Sequence, residues 1–522
     1  MDATVLKKCD IVMKGGITSG IVYPSVVCNL AERYQFESIG GTSAGAIAAS
    51  LTAAAEYARR NGRDVFKEVA KVPAWLGASS ALGRGSNLFH LFQPQPGMEG
   101  LFRVATAFLI EGWLRRILIW CRVLWLAMLI GAVPGVALAY LASNAPGWRL
   151  AAAAGLGLLV ALAGSVVGAI LGVLLRVARL PGREYGLCTG YAGPHEGNPV
   201  SLTAWLNERL NTLAGMPRDR TLTFGDLQGA GITLKMITTC LTFGCPFTLP
   251  FESKELYFSS SEMRRFFQEE VVVWMESHPA EPYQHSEQVD AGELRRLPDS
   301  DHLPVIFATR LSLSFPVLFC AVPLFAVDWT RRRRTAGEPA PPQRVPGDAL
   351  APDELRKPER VWFSDGGICS NFPLHLFDSP LPLWPTFGID LRDLRPDRAS
   401  AGDRVWMPES NRQGAAHLWT RLSTKPELPA MGGLISAMFD AARSWMDNLQ
   451  AAVPGYRDRV VHLYLDAREG GLNLNMPEDV VKSLGGYGQQ AAGKLIDHFS
   501  NGLDSGQETP MTWDNHRWIR YR

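Results

Sequence analysis

Few of the signals that would tie this 522-residue chain to a metal, a nucleic acid or secretion are present. The eight cysteines, Cys9, Cys28, Cys121, Cys188, Cys240, Cys245, Cys320 and Cys369, are scattered, with no CxxC pair and no Cys/His spacing of a zinc site. They read as reduced cytosolic thiols. No charge of either sign dominates: 52 basic residues stand against 51 acidic ones, and no basic stripe carries interleaved aromatics, so no nucleic-acid partner is expected. Met1 to Lys8 lacks an apolar core of signal-peptide length, and nothing there directs the protein out of the cytoplasm. No internal repeat is visible. Neither G-x-x-x-x-G-K-[ST] nor a G-x-G-x-x-G followed about 20 residues on by an acid is present, which removes the usual phosphate-binding readings.

What is present begins at Gly41-Thr42-Ser43-Ala44-Gly45. Phe36 to Ile39 reads as a short strand before it, and Ala44 to Arg59, rich in Ala, Ile and Leu, reads as a helix after it. Ser43 is thereby placed on a sharp strand-to-helix turn. Gly41 and Gly45 permit the tight bend and the close approach of strand and helix, which exposes the serine hydroxyl to a substrate carbonyl. The N-terminal N–H groups of the helix favour developing negative charge at that spot. Upstream, Cys9 to Met13 is strand-like and runs into Lys14-Gly15-Gly16-Ile17-Thr18-Ser19-Gly20, with a helix expected from Ile21 to Tyr34. Such a turn presents backbone N–H groups, here those of Gly15, Gly16 and Ile17, to an anion; the oxyanion of an acyl-transfer intermediate is the expected one, the alternative being a plain structural turn.

The apolar residues, 47% of the chain, are concentrated in two runs. Val123 to Ala142 and Leu150 to Leu175 carry no charge, and at about 1.5 Å per residue each can cross a hydrocarbon core of about 30 Å. Arg115, Arg116 and Arg122 precede them, Arg176, Arg179 and Arg183 follow, and the intervening turn holds only Arg149. The positive-inside bias predicts a two-pass hairpin with both ends cytoplasmic, the alternative being a buried core hairpin. Gly131 and Gly135 in the first run, and Gly164, Gly168 and Gly172 in the second, repeat every fourth residue. They suit close contact with another membrane helix, including one in a homo-oligomer, or are simply small lipid-facing positions. Leu101 to Trp113, apolar on one side, suits a membrane surface or an ordinary core helix.

After Arg183 the polar character of a soluble domain returns. Helices are expected at Leu202 to Leu213 and Ser260 to Met275, a buried strand at Ile232 to Thr242, and a helix from Leu303 that stops at Pro316. Asp328 to Glu359, with four consecutive arginines and six prolines, is expected to be disordered. Val361 to Ser364 is strand-like and ends in Asp365-Gly366-Gly367, with Asn371 and Pro373 beyond. An acid at the carboxyl end of a strand is where an open α/β sheet puts its working groups, although a lone Asp-Gly-Gly is more often a self-capping turn. Strands at Thr386 to Leu391 and Val460 to Leu465, an amphipathic helix at Leu434 to Ala452 and a helix at Pro477 to Phe499 complete the pattern.

Taken together, the glycine turn, the Ser43 elbow, Ala308 to Pro316 and Asp365-Gly366-Gly367 with Asn371 and Pro373 resemble the patatin-like phospholipases, in that family's order. The resemblance spans Cys9 to Leu391, interrupted by the hairpin. It implies a three-layer α/β fold, Ser43 as nucleophile with Asp365 its only catalytic partner, the glycine turn as oxyanion hole, and no metal, cofactor or catalytic histidine. The chain departs from the family where a third glycine and a basic residue are usual: Ile17 and Ser19 stand there, and Lys14 precedes the turn. The implied organisation is a catalytic domain in two parts, 1–114 and 184–394, a hairpin insertion at 115–183, and an α/β extension at 395–522. The implied activity is hydrolysis of phospholipid or lysophospholipid esters at a lipid bilayer. Against it stand a triad esterase or acyltransferase using one of His375, His417, His462, His498 or His516, and a non-catalytic membrane scaffold. To act as a base, Asp365 should be partly desolvated, with its pKa raised, and oriented by the N–H groups of Gly366 and Gly367.

Overall fold

The computed structural model describes all residues except 1–5, 17, 81–84, 108–112, 142, 144–146, 194–199, 332–353, 395–403, 411–412, 415–421, 424–427, 452, 467, 472, 475, 502–511 and 522. Most of the stretch expected to be disordered therefore lies outside the described residues. The chain forms two compact units, one made of Met1–Phe92, Gly190–Phe315 and Ala321–Arg522, the other of Gln93–Thr189 and Pro316–Cys320.

In chain order the strands are β1 (Lys7–Met13), β2 (Tyr34–Gly41), β3 (Gly186–Cys188), β4 (Thr233–Cys240), β5 (Cys245–Leu249), β6 (Leu256–Phe258), β7 (Arg295–Arg296), β8 (Val317–Phe319), β9 (Val322–Ala326), β10 (Glu359–Asp365), β11 (Thr386–Asp393), β12 (Val405–Trp406) and β13 (Val460–Leu465). In the first unit they build one mixed sheet of order β12-β13-β11-β1-β2-β4-β10-β9-β6-β7, with β5 also paired to β4. β13, β11, β1, β2 and β4 are parallel, while β10 is antiparallel to β4. Flanking helices complete an α/β fold. The central strands are buried on both faces, as the unbroken burial of Cys9 to Met13 and Val460 to Leu465 shows, which is why they read as apolar runs and not as alternating ones.

Several elements depart from expectation. The stretch after the glycine turn is a short 3₁₀ turn, Ser19–Val22, then the helix Tyr23–Ala31, and Tyr34 already belongs to β2. The single helix expected at Ser260 to Met275 is two, Ser260–Met263 and Glu269–Ser277. The break lets adjacent Phe266 and Phe267 both be fully buried. The helix Val305–Ser312 ends before Pro316.

In the second unit, β3 pairs with β8, and helices of 29 and 30 residues, Trp113–Leu141 and Trp148–Val177, form an antiparallel pair. Both are long and apolar enough to cross a membrane, and their large side chains face outward, Ile130 63% and Leu159 65% exposed. The glycine repeats face each other within this pair. A Cβ on Gly131 would lie 2.0 Å from the Gly164 carbonyl oxygen, and one on Gly168 would lie 2.2 Å from that of Ala127, so only glycine permits this backbone contact. The helix Glu99–Thr106 buries Leu101, Phe102 and Val104, the behaviour of a core helix.

The helix Leu428–Ala451 inverts the usual amphipathic arrangement. Met431, Leu434, Ile435, Met438, Trp445, Met446 and Leu449 fall within a stripe of roughly 120° at 3.6 residues per turn, and all are exposed. The opposite face carries Asp447, which is buried.

Candidate active site

Four chain segments converge at one end of the sheet. β2 delivers the elbow: Ser43 has φ 56° and ψ −127°, a conformation few residues other than glycine adopt. Backbone strain of this kind costs about 1–3 kcal/mol and persists where the surroundings enforce it. They do so here through close backbone contact. A Cβ on Gly41 would fall 2.3 Å from the Gly45 carbonyl oxygen, and one on Gly45 would fall 2.3 Å from that of Met13 at the end of β1. The G-x-S-x-G spacing is thus a packing requirement between elbow, helix Ala44–Arg60 and β1.

The acid arrives by register. β2 and β4 pair Gly41 with Met236, and β4 and β10 pair Thr238 with Asp365, so Asp365 stands just beyond the end of β2, level with the elbow. Because β10 is antiparallel to β4, the general rule for parallel strands does not put it there. Gly366 lies against the elbow, since a Cβ on it would be 2.8 Å from Thr42 Cγ2. The Asp365 carboxylate is buried, and its Oδ1 accepts the Gly367 N–H at 2.7 Å. No bond from the Gly366 N–H to the carboxylate is present. Burial pushes the carboxyl up to about 6, against weaker opposing pulls from the Ser43 hydroxyl, the Gly367 N–H and Arg443. Ser43 is near enough to affect that value, yet Oδ2 has no partner at full hydrogen-bond geometry.

The segment Ala308 to Pro316 holds both groups, a role that its position in the sequence did not reveal. Ser312 Oγ accepts the Ser43 N–H at 3.2 Å and donates to the Ile237 carbonyl at 2.6 Å. The Ser314 carbonyl accepts the Asp365 N–H at 3.0 Å and the Ser364 hydroxyl at 2.9 Å. Asp447, not singled out in the sequence, supports the loop after Asp365. Its Oδ2 accepts the N–H groups of Asn371 at 3.0 Å and Phe372 at 2.9 Å, and its Oδ1 the Ser370 hydroxyl at 3.3 Å.

At the glycine turn the three named donors differ. The Gly15 N–H donates to the Asn371 carbonyl at 2.8 Å, so it fixes the turn and is not free for an oxyanion. Among the described residues Gly16 makes no such backbone bond, and Ile17 lies outside them. Lys14 points away, to Asp390 Oδ1 at 2.7 Å and the Leu391 carbonyl at 2.9 Å. Burial would raise the Asp390 carboxyl, but Arg392, Lys14 and His462 hold it well below the usual range.

The histidines lie elsewhere. His462 Nδ1 pairs with Asp390 at 2.8 Å, His516 with Asp458 at 2.6 Å, and His498 bonds the Lys494 and Pro408 carbonyls. His375 is exposed, and His417 lies outside the described residues. Among the described residues no histidine bonds Ser43 or Asp365.

A strained serine elbow beside a buried aspartate, on an α/β sheet, defines a class, and the comparisons agree with it. This chain belongs to the patatin-like phospholipases, a family of lipid acyl hydrolases. Residues 11–119 match the patatin-like phospholipase family model. The chain is 36% identical over 579 aligned positions to the "RpoH suppressor" of Rhizobium meliloti (strain 1021), covering all of this chain and 86% of that protein. Among solved structures it is similar to VipD from Legionella pneumophila at 13% identity and a TM-score of 0.30, too low to speak for a shared fold; that match covers 94% of this chain and 66% of the other.

Proposed function

We propose that this protein is a membrane-anchored phospholipase A or lysophospholipase that works through a Ser43–Asp365 dyad. The observation that carries this reading is the buried Asp365, its carboxyl raised to about 6 and one oxygen unpartnered, next to a serine held at φ 56°. A carboxylate with the ordinary value of 3.8 is a weak base toward a hydroxyl, and a value near 6 is closer to the working range. In the reaction Ser43 Oγ attacks the ester carbonyl as its proton passes to Asp365, giving a tetrahedral oxyanion. Its collapse expels the alcohol, which takes the proton, and leaves an acyl-enzyme. Water, giving its proton to the same carboxylate, then releases the fatty acid. The Gly16 N–H and that of Ala44, at the start of the elbow helix, are the candidate oxyanion donors, each worth about 3–4 kcal/mol in the transition state.

Two features favour a lipid substrate over a soluble ester. The hairpin is suited to hold the catalytic unit at a bilayer, with the arginine bias favouring the cytoplasmic side. The outward apolar stripe of Leu428–Ala451 belongs to the helix whose Asp447 braces the loop after Asp365. The test is hydrolysis of phosphatidylcholine and lysophosphatidylcholine vesicles by the full chain and by Ser43→Ala, with thermal melts alongside. The variant should melt like the wild type and release no fatty acid; retained turnover would sink the assignment.

A further inference from the structure

Two of the six arginines that flank the hairpin, Arg122 and Arg176, are joined by Arg103 from a preceding helix. Arg103, Arg122 and Arg176 line one cavity of about 450 Å³, together with Gly100, Ile119 and Val123. They come from three different helices, Glu99–Thr106, Trp113–Leu141 and Trp148–Val177. None of the three makes a salt bridge among the described residues. Arg176 donates to the Gly172 carbonyl at 2.8 Å and the Val123 carbonyl at 3.3 Å, which ties it across the base of the helix pair.

The depth of the cavity follows from the sequence of the hairpin. Val123 opens the first uncharged run and Arg176 closes the second, so the cavity sits where both apolar spans end, on the side of both chain ends. In a bilayer that level holds headgroup phosphates. Trp120, whose Nε1 donates to the Val104 carbonyl at 3.3 Å, joins the short helix to the hairpin at the same level, a place where indoles are favoured. Three guanidinium groups with no carboxylate among the described lining residues, around a space of this size, match a phosphate-bearing anion, because each presents several N–H donors to phosphate oxygens.

We infer that this cavity is a binding site for the phosphate headgroup of an anionic phospholipid, separate from the Ser43 site and bound without being hydrolysed. The inference rests on the hairpin lying in a bilayer, and not on the esterase reading.

The test uses the full chain carrying Ser43→Ala, so that no lipid is consumed, purified in mild detergent and offered phosphatidylglycerol or phosphatidylcholine, with retained lipid read by native mass spectrometry. Phosphatidylglycerol should be retained in preference to phosphatidylcholine. The pair Arg103→Gln with Arg122→Gln should lose retention by roughly a hundredfold, the size expected when two charge-assisted contacts to the phosphate are removed. The control pair Arg115→Gln with Arg179→Gln removes equal charge from the same side outside the cavity, and should retain the lipid. Arg103→Lys with Arg122→Lys should give an intermediate loss and guards against a folding defect. Equal losses in the cavity and control pairs, or equal retention of phosphatidylcholine, would reduce the site to general surface charge and overturn the inference. Displacement of the lipid by inorganic phosphate at similar occupancy would overturn its assignment to a lipid in favour of a soluble phosphate.

Discussion

The Ser43 backbone N–H donates to the Ser312 hydroxyl at 3.2 Å, across 269 residues of sequence, and that hydroxyl in turn donates to the Ile237 carbonyl at 2.6 Å. One side chain thus fastens the strained elbow to β4. Ser312→Ala takes the acceptor from the buried Ser43 N–H, a loss of about 1–3 kcal/mol for a group left unsatisfied. The expected outcome is a lower melting temperature and a reduced kcat with KM little changed, since the elbow is loosened and the lipid-facing surfaces are untouched. Unchanged kcat in Ser312→Ala would show that the bond does not hold the nucleophile.

Asp447 is the second fastening. Asp447→Ala removes the acceptor from Asn371, Phe372 and Ser370 together, so the loop that follows Asp365 loses its outer support. A fall of roughly tenfold or more in kcat is expected for a displaced base. Asp447→Asn, which keeps one carbonyl oxygen for the backbone donors, should recover part of it. Equal defects in the two variants would point to charge, and not acceptor geometry, as the source.

The raised Asp365 carboxyl makes a prediction in two directions. In the proposed mechanism Asp365 acts as a base and must be ionised, so kcat/KM should rise with pH through an apparent pKa of about 6. Stability runs the other way. Because the folded value lies above the ordinary 3.8, folding favours the protonated acid; that contribution is complete below about pH 4 and is lost as pH rises through about 6. By pH 7 the buried charge costs about 3 kcal/mol. Asp365→Asn should therefore be inactive yet more stable than the wild type at pH 7 to 8 in urea unfolding, with the gap closing toward pH 4. Asp10, also buried and raised to about 6, is common to both proteins and cancels in the comparison. A variant no more stable at neutral pH would mean that Asp365 is not held in a desolvated site.

Topology is tested by impermeant thiol labelling of intact cells carrying Ser143→Cys in the hairpin turn or Gly182→Cys after the second helix. Both positions are exposed, and at Gly182 a Cβ would meet no neighbour within 4 Å. Ser143→Cys should react and Gly182→Cys should not, above the background of native cysteines. The reverse pattern would invert the proposed orientation, and release of the protein from membranes by salt alone would remove the hairpin from the bilayer.

Local chemistry was legible in the sequence. The elbow Gly41 to Gly45, the Asp365-Gly366-Gly367 turn and the two uncharged runs are written in consecutive residues, because a tight turn and a membrane span are each set by what lies within a few or a few tens of positions. Long-range pairing was not. Asp365 meets Ser43 on a strand antiparallel to β4, so strand register brings the two together, and register is a property of neighbouring strands. The engagement of the Gly15 N–H by Asn371, the pairing of His462 with Asp390, and the bracing by Ser312, Ser314 and Asp447 all join residues far apart in the chain. Adjacent residues could single out Ser43 and Asp365 as candidates; only tertiary contacts decide which backbone donor is engaged, which histidine is already paired, and how the Asp365 carboxylate comes to be buried with its pKa raised.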